Sequence, residues 1–120
     1  MSEFIGTLEL EVIGDRKWRL LKTLLYSSEV GRCTITIPKG TVTDLLSTYS
    51  VPLFSNIFDG TNIAPGLLHD YLYQSKMFGR KKCDEILREA CIATGTSRWK
   101  AWIIWMGVRL GGEFHYGVNK

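Results

Sequence analysis

The sequence predicts an α+β fold: a small antiparallel β-sheet followed by a three-helix unit whose first two helices form an antiparallel pair. Two patterns carry that prediction. Before residue 45, apolar and β-branched residues alternate with period two, as in 7–13 and 33–37. After residue 62, apolar residues recur three and four apart, most clearly at Cys83, Ile86, Leu87, Ala90 and Cys91. Length adds a bound. A chain of 120 residues, 45% hydrophobic and 22% charged, suits one globular domain over 1–120, with about 1–45 as its β-rich half and 62–112 as its helical half.

The strand half begins with TLELEVI at 7–13, which sets Leu8, Leu10 and Val12 on one face and Glu9 and Glu11 on the other. That alternation is the mark of a half-buried strand. Gly14, Asp15 and Arg16 form a turn. The segment 18–26 is apolar and of strand length, with a helix as the alternative. Cys33 to Ile37 reads CTITI and is a strand, stopped by Pro38, Lys39 and Gly40, after which 41–43 resumes pairing. Residues 44–63 carry no period. Their Asp44, Ser47, Ser50, Pro52, Asp59, Gly60 and Asn62 suit a long ordered loop, and loops of that length in small domains are often functional.

The first helix is expected from about Asn62 to Lys76, with Pro65 in its first turn. Leu67, Leu68, Tyr71 and Leu72 make its apolar stripe, and His69, Asp70 and Tyr73 fall on the opposite side. The second is expected from about Arg80 to Ala93, closed by Gly95 as a C-cap, with Asp84 at the margin of its core face. The third starts after Thr96 and Ser97 and runs to about Leu110. It carries one stripe of Trp99, Trp102, Ile103, Met106 and Leu110 and another of Ile104, Trp105 and Val108. A helix apolar on two sides is buried, or meets a partner or a membrane surface. The core is the ordinary place for its tryptophans, and an interfacial phospholipid-binding surface over Trp99–Trp105 is the sharper alternative.

Composition narrows the function classes. The net charge of +3 and a pI near 8.8 are mildly basic and fit anionic lipid as well as nucleic acid. No basic run, glycine-rich phosphate loop or zinc knuckle is present, so nucleic acid is not an expected partner. The three cysteines, Cys33, Cys83 and Cys91, do not suggest a disulfide scaffold. Cys83 and Cys91 lie on one helix, about 12 Å apart along its axis, and cannot bridge each other. The N-terminal residues lack the basic and apolar regions of a signal peptide, and no apolar run is long enough to span a bilayer, so synthesis and folding in a cytoplasm are expected.

The chemistry concentrates in His69-Asp70-Tyr71-Leu72-Tyr73 and in Asp84. An imidazole becomes an effective general base when a carboxylate fixes its tautomer and stabilises the imidazolium. Asp70 is badly placed to do this for His69, because neighbouring helical residues point about 100° apart. Asp84 can do it if the second helix folds back across the short 77–79 connection. Tyr73, one turn after His69, can anchor Asp84 through its hydroxyl. Asp70 is then available to hold a hard cation such as Ca²⁺ with carbonyls from the loop around Asp59 and Gly60. The same cluster also fits a buried polar network joining two helices. Arg80 pairs with a carboxylate or caps the second helix, with a phosphate contact as the alternative. Asp44 and Ser47 suit a cap or an Asx turn, with a ligand role as the alternative. His115 could join His69 and a carboxylate around a transition metal. Ser47 or Ser50 could complete a Ser-His-Asp triad, although no Gly-x-Ser-x-Gly elbow is present.

The His-Asp-x-x-Tyr string with an Asp on a facing helix resembles the secreted and parvoviral phospholipase A2 families over about residues 58–93. That resemblance implies His69 activating a water, Asp84 orienting His69 and Asp70 binding Ca²⁺. The glycine-rich calcium loop of those families is reduced here to Gly60 and Gly66, and their disulfides are absent. A second resemblance covers about 7–116. It rests on the Ile-x-Ile-Pro-x-Gly-x-x-Thr-Asp-x-x-Ser element from Ile35 to Ser47, on Pro52, on His69 to Tyr73, on Arg80 with Asp84, and on Val108-Arg109 with Gly111. In this the chain is similar to an uncharacterised family of small phage and prophage proteins, the domain of unknown function thirteen-fifty-three. The two together imply a phage protein with a His-Asp site, a phospholipase-like hydrolase of envelope penetration or lysis, with His69, Asp84 and Tyr73 as its catalytic group. The alternatives are a non-catalytic virion or tail component in contact with other virion proteins, and a small host-directed interaction protein.

Overall fold

The computed structural model of the chain describes residues 2–14, 17–43 and 63–118, the last eight of these as backbone. The fold class is α+β, as the sequence predicts, but the strands form two three-stranded antiparallel sheets where the sequence suggests one. The strands are β1 (Glu3–Ile5), β2 (Leu10–Gly14), β3 (Lys17–Leu20), β4 (Leu24–Ser28), β5 (Cys33–Ile37) and β6 (Val42–Thr43). They are followed by α1 (Ile63–Ser75), α2 (Arg80–Ala93) and α3 (Arg98–Val118). One sheet has the order β1-β4-β5 and the other β2-β3-β6.

The apolar stretch 18–26 is therefore two strands, parted at 21–23, each belonging to a different sheet. The chain turns there because Leu20 is already committed to the second sheet: its N–H bonds to the Thr41 carbonyl at 2.8 Å and its carbonyl accepts from Gly40 at 2.7 Å. Gly40 has φ +93°, a left-handed conformation that costs a glycine little. Leu24 pairs with Ile37 to open the β4–β5 hairpin, whose register runs to Ser28 opposite Cys33. Alternation then buries Leu24, Tyr26 and Ser28 from β4 and Ile35 and Ile37 from β5. In β2 the alternation fails. Leu8 and Leu10 are half-buried, but Val12 is 70% exposed, because among the described residues β2 is an edge strand that pairs with β3 alone.

The first two helices follow their expected bounds closely. In α2 the stripe of Cys83, Ile86, Leu87, Ala90 and Cys91 is fully buried. Its C-terminus closes in a Schellman turn, with Thr96 N–H on the Cys91 carbonyl at 2.9 Å, Gly95 N–H on that of Ile92 at 3.2 Å, and Gly95 at φ +106°. In α1 the polar side is not a solvent side. His69 and Tyr73 are buried along with Leu67, Leu68 and Leu72, so α1 is wrapped almost all round. The third helix runs eight residues beyond the expected end at Leu110. It buries Ala101, Ile104 and Val108 against Leu87 and Cys91, while Trp99 and Trp102 are exposed and only Trp105 of that helix's tryptophans is half-buried. No described helix is long and apolar enough to cross a membrane.

Candidate functional site

The helix pair α1–α2 does what the spacing of the sequence requires. The chain reverses across 76–79, with Lys76 in a left-handed conformation (φ 55°), and brings Asp84 back against His69 and Tyr73. His69 Nε2 lies 2.7 Å from Asp84 Oδ1. The Tyr73 hydroxyl donates to the same oxygen. The two rings that serve it are stacked one helical turn apart, centroids 4.1 Å and planes tilted 46°.

The second carboxylate oxygen is held by a residue whose role the sequence does not reveal. Arg109 Nη1, arriving from α3, donates to Asp84 Oδ2 at 2.9 Å. The geometry that aims it comes partly from Arg80. The Arg80 Nη2 donates to the carbonyls of Val108 (3.1 Å) and Arg109, fastening that stretch of α3 to the start of α2. Arg80 thus grips main-chain carbonyls and not a carboxylate or its own helix cap. Only the bare Val-Arg dipeptide at 108–109 could have flagged Arg109, since an arginine twenty-five residues from its partner has no local signature.

The electrostatics follow from these contacts. Asp84 is 0% exposed, and burial by itself raises a carboxyl pKa. The hydrogen bonds from His69 and Tyr73, the imidazole charge and the bond from Arg109 outweigh that, and hold Asp84 below the ordinary carboxylate value of 3.8. Burial, and then the bond and charge of Asp84, push Tyr73 in the opposite direction, so its phenol stays a donor. Burial and the same carboxylate push the Cys83 thiol up to about 12. An ionised Asp84 accepts only, so the proton between it and His69 sits on Nε2, which leaves Nδ1 as the ring nitrogen not bound to the carboxylate.

Asp70, next in sequence to His69, is half-buried and turned toward the second sheet, where its Oδ2 accepts from the Thr43 hydroxyl of β6. Its oxygens are hard donors of the kind Ca²⁺ takes. Among the described residues no three His, Cys, Asp or Glu side chains come together as a metal-binding group. The other residues named for the cation, Asp59 and Gly60, lie outside the described residues, as do Asp44, Ser47, Ser50, Pro52 and the side chain of His115. All three cysteines are free thiols, Cys33 exposed and Cys83 and Cys91 buried.

A second carboxylate, partly buried, sits further along α2. Glu89 Oε1 accepts from the Tyr26 hydroxyl (2.9 Å) and Ser28 Oγ (2.8 Å), and Oε2 from the Val30 N–H (2.9 Å). It ties the β4–β5 hairpin to the helices.

The fold and site together define a small α+β protein in which three helices close around one ionised aspartate shared by a histidine, a tyrosine and an arginine. Within that class the chain belongs to the family described as Protein of unknown function (DUF1353), whose sequence model matches residues 18–108. The matched span takes in most of β3 through the middle of α3, and with them His69, Tyr73 and Asp84, and it ends one residue before Arg109. No curated protein and no solved structure matches the chain.

Proposed function

We propose that the protein is a phage or prophage hydrolase of the phospholipase A2 type, acting on a phospholipid ester during envelope penetration or lysis. One observation carries the reading: the 2.7 Å contact of His69 Nε2 with Asp84 Oδ1 across two antiparallel helices, with Tyr73 on the same oxygen. It is the arrangement that a His-Asp general base needs. Asp84 fixes the tautomer, Arg109 and Tyr73 keep Asp84 ionised, and Nδ1 is left to take a proton from water as that water attacks the ester carbonyl. Passing the proton to the leaving alkoxide restores the ring. Asp70 is the residue that would hold Ca²⁺, which when bound would polarise the ester carbonyl. The phage setting rests on the motif order from Ile35 to Arg109.

A second reading is favoured by the 2% exposure of His69. A histidine so enclosed is also what a non-catalytic virion or tail component would keep to join two helices. The test separates them. Purified protein is incubated with mixed phospholipid vesicles, with and without Ca²⁺, and fatty-acid release is followed beside a His69→Ala variant whose folding is checked by circular dichroism. Calcium-dependent release that disappears in the folded variant is the expected result. An inactive wild type, with a variant that is merely less stable, leaves the network as a structural joint.

A further inference from the structure

The third helix has two apolar faces, and the fold uses one. At about 100° per residue, Ala101, Ile104 and Val108 share a face, and it is the face buried against Leu87 and Cys91. Trp99, Trp102 and Leu110 lie on the opposite face, about 180° away, and are 60%, 46% and 81% exposed. Two tryptophans and a leucine aligned in this way form a stripe about 17 Å long. Such a stripe is a costly thing to leave in water and marks a contact surface.

The charge beside the stripe says what covers it. Arg98 and Lys100 project to either side of Trp99, with the Lys100 ammonium 5.6 Å from the centre of that ring, and 98–110 contains no acidic residue. A second copy of the chain docking face to face would set these like-charged rims against each other. A sheet of anionic headgroups would be matched by them. Indole rings with their polar N–H suit the headgroup boundary, and cations beside them suit the anions there. We infer that the Trp99–Trp102–Leu110 face of α3 docks the protein onto an anionic phospholipid surface. The inference gives the hydrolase reading its substrate surface and rests on that reading for what the docked protein does; the docking stands on the stripe and its charges.

The test uses sedimentation with vesicles of phosphatidylglycerol and, separately, of phosphatidylcholine, on wild type, on Trp99→Ser/Trp102→Ser and on His69→Ala. Expected is binding to phosphatidylglycerol that exceeds binding to phosphatidylcholine, weakens with added salt, and falls by roughly tenfold or more in the tryptophan variant. His69→Ala should bind as wild type does, so an absence of catalysis leaves this result standing. Hydrolysis of a soluble short-chain ester should be unchanged in the tryptophan variant, which separates docking from chemistry. Wild type that ignores phosphatidylglycerol overturns the inference, as does a folded tryptophan variant that binds equally well. So does wild type that sediments as a dimer which the tryptophan variant abolishes, since the face is then covered by a second copy.

Discussion

Asp84→Asn is the substitution that most directly probes the site. It keeps the shape of a side chain that is 0% exposed and removes only its charge. With the amide oxygen turned to His69 and Tyr73, those two bonds survive and the NH₂ group faces the Arg109 guanidinium, donor against donor. Turned the other way, Arg109 is served and the other two donors are not. The first orientation is cheaper, because the Arg109 side chain is 29% exposed and can reach water. Breaking one partner of a buried ion pair costs about 3–5 kcal/mol, and this partial escape places Asp84→Asn at about 3 kcal/mol. The pH dependence fixes the cause. The Asp84 pKa is lowered in the folded protein, so its stabilisation is present above 3.8 and is lost as pH falls through the folded value. Asparagine has no such loss, and the gap between wild type and variant should narrow in acid. Urea unfolding followed by tryptophan fluorescence, at neutral pH and in steps below about pH 4, measures both quantities. A neutral-pH gap below about 1 kcal/mol, or a gap that stays constant in acid, refutes the account of Asp84 as a buried, ionised hub.

Three other outcomes are expected. Glu89→Gln turns one acceptor oxygen into a donor facing Tyr26, Ser28 or the Val30 N–H, and should cost about 1–3 kcal/mol by urea unfolding. Thiol labelling followed by mass spectrometry should modify Cys33 at once, and Cys83 and Cys91 only with unfolding, since both are buried and the Cys83 thiol is pushed up to about 12. Gly31→Ala places a methyl group 3.2 Å from Ser28 Oγ, 3.3 Å from Ile86 Cδ1 and 3.3 Å from Phe78 Cζ, so the turn or the helix must give way. A loss of about 1–3 kcal/mol is expected, and an unchanged midpoint would mean the hairpin and α2 are less closely packed than described.

What the sequence revealed and what it hid divide along physical lines. The second helix was legible to the residue, because its apolar positions occupy a single stripe and Gly95 marks its end. The third was legible as a helix and not as to which side faces in, because apolar residues occupy both faces and size misleads. The bulky tryptophans at 99 and 102 stay out, and the smaller Ala101, Ile104 and Val108 pack against α2. The strand β1 has three residues and no pattern of its own, and its pairing with β4 is decided by tertiary contact. At the site, His69, Tyr73 and Asp84 were legible from helical spacing across a short turn, and the structure places them together. Arg109 and Glu89 were not, since each meets its partners from a distant element and carries no local mark.

Those two distant meetings share one helix. Asp84 and Glu89 are five residues apart on α2, which at 100° per residue points them about 140° from each other. One faces α1 and α3, the other faces the β4–β5 hairpin. The short stretch between them therefore sets the phase of one half of the molecule against the other. Inserting or deleting a single residue there would turn one carboxylate away by about 100° while leaving every side chain in the sequence chemically intact. A change in the length of 84–89 displaces both carboxylates' partners at once, and drift in this chain should leave that length fixed while the connections around it vary.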